Sequence, residues 1–468
     1  MANCNEGRTH PASSDVSPTQ HNVTLSKSFL FILSSFSRHA PSLFTNRETT
    51  RNPKMTHPAM QRRQFITAIG ALGATAAAGI QPRLNAAPDA PKPADDGPLL
   101  AGTPAVFAPS PSGFTVTLPV RRAAAAWVEY GETKDLGLRA GCDPFGFVPQ
   151  DDTAVKIRVS GLKPGTRYYW RATLRPNGDL DPAAEIRTDT YTAKTLDPAA
   201  AATRFSVWND THDQAATIQS LFGLRNAKDD FLLWNGDLSN NVNDPALLPG
   251  LYVSPKKVDL AKGPPILLTQ GNHDHRGLHA RGMHRYVDFP GDRSYYAFRS
   301  GPVAFVALDT GEDKPDTHPS SKGAPASEPH LAEQARWLAE IIALPGFRDA
   351  PYRVVFCHIP LRWTNEGPQD YAKKGFDRVS LRGRAAWHDS LVRWGAQIII
   401  SGHVHRAGLL APDARFPYAQ LLGGGPGRSA NDHPTVITGD ADARQFRITC
   451  TRVEDNETLH DLVLKPLA

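Results

Sequence analysis

Two periodicities divide the chain. Between about residues 101 and 196, short runs at 114–118, 126–130, 155–159 and 168–172 alternate apolar and polar positions, with turn residues between them. A period of two puts alternate side chains on one face of a strand, so this spacing predicts a small antiparallel β-sandwich. After a joint of small residues at 199–203, apolar runs at 205–208, 231–234, 265–269, 303–308, 352–356 and 398–400 read as short buried strands. Helical faces fall between them. One carries Ile218, Leu221, Phe222 and Arg225; one, with Ser327 as its cap, carries Leu331, Trp337, Leu338 and Ile341; one carries Trp387, Leu391 and Trp394. Strands alternating with helices predict a layered α/β domain over 203–450, with a C-terminal strand and tail over 451–468.

The first hundred residues have another character. Residues 1–60 are polar apart from an apolar run at 29–33 that is too short to span a bilayer, and they predict disorder or a start codon placed too early. Next come Arg62-Arg63, an Ala/Gly-rich run over 68–80 and small residues at Asn85-Ala86-Ala87. A basic pair, a short apolar stretch and a small-residue cleavage site, in that order, resemble a twin-arginine export signal over 61–87. The resemblance implies the twin-arginine export machinery as a partner, a periplasmic or secreted location, and no transmembrane segment in the mature chain. Residues 88–100 read as a Pro/Ala/Asp linker.

Composition changes this picture little. With 40% hydrophobic residues the chain can bury a sizeable core. The formal charge of +5 comes mostly from the first hundred residues, so the high isoelectric point makes no case for nucleic acid. Cys4, Cys142, Cys357 and Cys450 are too few and too scattered for a disulfide framework and are expected as buried thiols.

The candidate chemistry lies just after the predicted strands of the α/β half. Asp210-Thr211-His212, Asn235-Gly236-Asp237, Gly271-Asn272-His273-Asp274, Cys357-His358 and Gly402-His403-Val404-His405 each place oxygen or imidazole donors at a strand end. In a strand-like His-x-His, both imidazoles would point the same way. The five pieces in this order resemble the calcineurin-like metallophosphoesterases over about 204–449. That resemblance implies a four-layer α/β/β/α sandwich holding two metal ions, which the donor types leave as Fe, Mn or Zn. It assigns Asp210, His212 and His405 to the first ion, Asn272, His358 and His403 to the second, and Asp237 to both. It further implies hydrolysis of a small phosphorylated substrate by in-line attack of a metal-bridging hydroxide, with His273 at the scissile bond.

Asp274 is expected to orient His212 or His273, or else to lie in a surface turn. Arg276 and His275 are candidates for the substrate phosphate, with surface exposure the alternative for both and the favoured reading for His275. A sandwich ahead of such a domain is similar to the layout of purple acid phosphatases, and the turn at 162–168 resembles the tyrosine corner of fibronectin type III domains. Where the purple enzymes have Gly-Asp-x-x-Tyr, this chain has Asn240, which argues against a tyrosine-coloured site. Phosphomonoesters are the favoured substrates, with phosphodiesters as the alternative, and a secreted binding protein with an inert metal site is the reading from another class. Polar stretches at 311–327 and 364–380 are long for loops and suggest lids over the site. The Gly-rich run 423–428 lacks a following helix and reads as an irregular turn rather than a phosphate cradle.

Overall fold

The computed structural model describes residues 97–255, 258–363, 378–429 and 432–468. The export-type segment, the extension before it, most of the linker, Cys4 and residues 364–377 lie outside the described residues.

Two sheets carry the α/β half. Thr203–Trp208, Phe231–Asn235 and Ile266–Thr269 run parallel, and on the far side of the first lie Thr435–Ala441, Phe446–Arg452 and Thr458–Leu464, all antiparallel. The second sheet orders Tyr296–Ser300, Val303–Leu308, Tyr352–Cys357, Ile398–Ser401, Ala419–Leu422 and Gly408–Leu410. Continuous β-branched and aromatic runs suit strands covered on both faces. Their inner faces meet through Phe205, whose ring stacks on Phe231 at 5.1 Å and meets Phe305 and Phe356 edge-on at 5.3 and 5.9 Å. Burying each such ring contributes about 1.5 to 3 kcal/mol.

Helices Ser327–Ile341 and Leu381–Trp394 cover the outer side of the second sheet through Leu331, Leu338, Trp387 and Leu391. Ala215–Gly223 buries Ile218 and Leu221 on the first sheet, with Phe222 edge-on to Trp208. This is the expected α/β/β/α layering. Ser327 is not the cap of its helix, however. It is the first helical residue, and its N–H is taken by the Asp316 carboxylate at 2.8 Å, from the loop before it.

The N-terminal strands depart from a separate sandwich. Ala105–Ser110 pairs antiparallel with Gly113–Pro119, which pairs with Ala154–Ser160, but Phe107 also pairs in parallel with Ile266. These three strands therefore complete a nine-stranded sheet with the α/β half, and the joint at 199–203 does not interrupt it. Alternation along Ala105–Ser110 serves both sides: Phe107 enters the core with Phe205, while Val106 enters a second core with Val116, Ile157 and Trp170. The opposing sheet is built on Ala124–Gly131, Arg167–Pro176 and Tyr191–Lys194. At the turn before Tyr168, the Lys163 N–H donates to the Tyr168 hydroxyl at 3.0 Å. Of the thiols, Cys357 and Cys450 are buried, whereas Cys142 is exposed on a loop of this part, contrary to expectation.

Candidate metal centre

The donors gather where the parallel strands end. Asp210, His212, Asp237, His403 and His405 all have φ between 44° and 71°, a region that costs a non-glycine residue about 1 to 3 kcal/mol. Regular strands could not converge so many side chains on one point. The pair at 403 and 405 corrects the strand-like reading: the strand stops at Ser401, and two left-handed residues turn both imidazoles inward. Two glycines permit the crowding. A Cβ at Gly236, itself at φ +77°, would lie 2.4 Å from His358 Nδ1, and one at Gly402 would lie 2.3 Å from an Asp210 carboxylate oxygen.

Two donor groups result. Asp210, His212, Asp237 and His405 form one, Asp237, His358 and His403 the other, and Asp237 belongs to both. Asn272 joins the second, its Oδ1 lying 2.8 Å from His403 Nδ1. Asp210 and Asp237 are at most 1% exposed.

The imidazoles show what these carboxylates are set to hold. His358 donates from Nδ1 to the Asn235 carbonyl at 2.9 Å. Its Nε2 is buried without a hydrogen-bond partner, 3.2 Å from Asp237 and 3.7 Å from Asp210. His212 is fixed in the same sense. Asn240 donates to the His212 carbonyl at 3.1 Å, which turns its own Oδ1 to His212 Nδ1 at 3.2 Å. His212 Nε2 then faces His405 Nε2 at 3.0 Å and Asp237 at 3.4 Å. Bare nitrogens aimed at buried carboxylates repel unless a cation lies between them. A proton can take that place at His358, where burial opposes the charge but Asp237 and Asp210 outweigh it and lift the imidazole to about 10. At His212 burial prevails, and the imidazole falls to about 4. The set is thus compatible with a dinuclear centre of hard or borderline metal ions. Asn240 thus stands beside His212, where the purple enzymes would place a tyrosine.

His273 lies against this centre, its ring edge-on to that of His212 at 4.8 Å. Nδ1 donates to the Asn240 carbonyl at 2.7 Å, and Nε2 accepts from the Arg276 guanidinium at 2.7 Å. Burial, with Arg276 adding to it against the pull of Asp237, holds the imidazole below its ordinary range. Arg276 is only 6% exposed and is gripped by Glu312 through two nitrogens and by Asp313 at 2.5 Å.

Two expectations are corrected nearby. Among the described residues, the Asp274 carboxylate hydrogen-bonds to neither the His212 nor the His273 ring. It is fully buried and accepts from the Gly271 and Ser239 N–H groups and the Ser239 hydroxyl, tying the loop after one strand to the loop after the next. Its place is that of a positioning residue. His275 is not an exposed neighbour: it faces Asp309 at 3.2 Å along a cavity of about 600 Å³. The Gly-rich run 423–428 is irregular, as expected, and brings the Arg428 guanidinium to Asn240 Oδ1 at 3.3 Å.

Glu312 and Asp313 were not read from the sequence. The available signal was an acidic pair just after the strand Val303–Leu308, within a stretch too long for a plain loop. Residues 364–377 of the other long loop fall outside the described residues.

Comparison with known proteins places this centre. Residues 203–407 match the sequence model of the family described as calcineurin-like phosphoesterase. They are a calcineurin-like phosphoesterase domain. A human protein named serine/threonine-protein phosphatase CPPED1 is 29% identical over 145 residues, 30% of this chain and 42% of that protein. Purple acid phosphatase 15 of Arabidopsis thaliana is 23% identical over 283 residues, 53% of this chain and 48% of that one. The chain thus spans less than half the length of these relatives. Among solved structures, purple acid phosphatase PPD1 from yellow lupin superposes with a TM-score of 0.59 at 14% identity, covering 77% of this chain and 74% of that one. PhoD superposes at 0.51 with 12% identity, covering 79% and 90%. These likenesses establish the sandwich fold, and the coverage extends well beyond the phosphoesterase domain.

Because Arg276 is the cation bonded to the buried Glu312 carboxylate and shares Asp313 with Lys314, Arg276→Ala is expected to lower stability by about 3 to 5 kcal/mol, as removal of one partner from a buried pair does. Chemical unfolding of the two proteins at matched metal content measures this.

Proposed function

We propose that this chain hydrolyses phosphate esters at a dinuclear metal centre, favours phosphomonoesters, and works outside the cytoplasm after twin-arginine export. The observation that carries the catalytic part is the shared carboxylate: Asp237 belongs to both donor groups, and the unpartnered His358 Nε2 beside it faces a place fit for a cation. Export rests on the residue order over 61–87 alone.

In this reading Asp210, His212 and His405 hold one ion, Asn272, His358 and His403 the other, and Asp237 both. When bound, the ions supply positive charge for the phosphoryl oxygens and lower the pKa of water, so that a nucleophile is available near neutral pH. The side chains do the rest. Arg276 brings a guanidinium beside the centre, suited to a dianionic monoester phosphate. Donating to a phosphoryl oxygen, it releases His273 Nε2, and the phosphate charge offsets the burial that keeps this imidazole neutral. His273 can then carry a proton on Nε2 to the leaving oxygen, while Nδ1 stays fixed on the Asn240 carbonyl. The phosphatase names of the relatives support the monoester preference.

The test is hydrolysis of p-nitrophenyl phosphate and bis-p-nitrophenyl phosphate by purified chain of measured metal content. Two ions per chain and faster turnover of the monoester are expected. Two ions with no turnover of either ester would replace this reading with that of a metal-stabilised binding protein.

A further inference from the structure

A second charged cavity lies at the other end of the sheet. Metal donors follow the ends of Phe231–Asn235 and Ile266–Thr269, whereas this cavity, of about 700 Å³, is lined by residues just ahead of where those strands begin. Five cations line it: Arg167 and Lys194, register partners on adjacent strands of one N-terminal sheet, Arg225 and Lys228 after the helix Ala215–Gly223, and Lys262 ahead of Ile266–Thr269. The single carboxylate in the lining is Asp229. It is 9% exposed, accepts from the Ser206 hydroxyl, and is pushed up to about 6 by burial.

Part of the charge is compensated. Lys194 pairs with Asp230 at 2.6 Å and Lys262 with Asp259 at 3.2 Å. Three cations have no carboxylate partner among the described residues. Arg225 lies over the Phe222 ring at 4.1 Å and donates to the Phe222 carbonyl, Arg167 donates to the Thr192 hydroxyl at 3.4 Å, and Lys228 borders the cavity between them. Like charges brought together around one cavity repel, and for Arg167, Arg225 and Lys228 no carboxylate among the described residues offsets that repulsion. Its volume is within the usual range of about 300 to 1,000 Å³ for ligand pockets. Guanidinium groups suit phosphate oxygens, because their planar forks donate two parallel hydrogen bonds.

We propose that this cavity binds a small polyanion carrying two or more linked phosphate groups, away from the metal centre. Several cations spread around one cavity favour linked phosphates over a single one, since one orthophosphate can meet only part of the set. The inference does not depend on the phosphoesterase reading.

Isothermal titration of the full, metal-stripped chain with tripolyphosphate tests it. Without metals, the other site loses the ions that would hold a phosphate, and the comparison with the double variant assigns the heat to this cavity. One equivalent is expected to bind, more weakly as salt is added, and tighter than orthophosphate. In R167A/K228A the affinity should fall about tenfold, the loss of two modest charge contacts. Both residues are exposed, and ester hydrolysis by the metal-loaded variant should match that of the parent chain, which confirms an intact fold. Absence of binding, equal affinity for orthophosphate, or unchanged affinity in the double variant would each overturn the proposal.

Discussion

Asp237→Ala is expected to cost the protein one metal ion outright, weaken the other, and lower ester turnover by more than the roughly 10² to 10³ that loss of a single electrostatic donor costs. The asymmetry follows from the donor sets. The group of His212 and His405 keeps the Asp210 carboxylate, but the group of His358 and His403 has no carboxylate besides Asp237. A divalent ion held only by neutral imidazoles and the Asn272 amide lacks the charge that offsets its dehydration. Asp237→Asn isolates this electrostatic part, because an amide oxygen can still accept the His273 N–H, bonded at 2.8 Å in the native site. Metal analysis after dialysis checks both variants. Two ions retained by the alanine variant would show that Asp237 is not the shared ligand.

His273→Ala should behave differently. A drop in turnover of about 10² to 10⁴ is expected, the range for loss of a positioned proton donor, with both ions still bound. The imidazole makes its hydrogen bonds to Asn240 and Arg276 rather than to the donor groups, so its removal leaves the metal ligands in place. An activated ester whose leaving group needs no proton should be less affected than an alkyl phosphate. Equal losses on the two substrates would remove His273 from the protonation step and leave it a role in binding.

Much of this site was legible because its residues lie in short motifs at strand ends. Asp210, His212, Asp237, Asn272, His358, His403 and His405 could be named from local sequence, and so could the strands that carry them. Contacts between distant positions could not. Arg276 stands out as a cation near a motif, but nothing local shows that it meets Glu312 and Asp313, 36 and 37 positions away, or that its guanidinium closes on His273. Asp274 reads as an orienting acid in the motif; only the folded loops reveal that it bonds backbone across to Ser239. The turns at His403 and His405 were hidden because a strand-like pattern leads into them. The N-terminal part shows the same limit at larger scale. Ala105–Ser110 contains Pro109 and is apolar on both faces rather than alternating apolar with polar residues, and its pairing with Ile266 spans 159 positions, so periodicity suggested a separate sandwich where the sheet is continuous.

The measurement that bears most directly on the shared centre is anomalous diffraction from crystals of the chain loaded with manganese or zinc. Two peaks about 3.5 to 4 Å apart are expected, on either side of the Asp237 carboxylate, one within bonding distance of Asp210, His212 and His405 and the other of Asn272, His358 and His403. A single peak, or two that do not share Asp237, would contradict it.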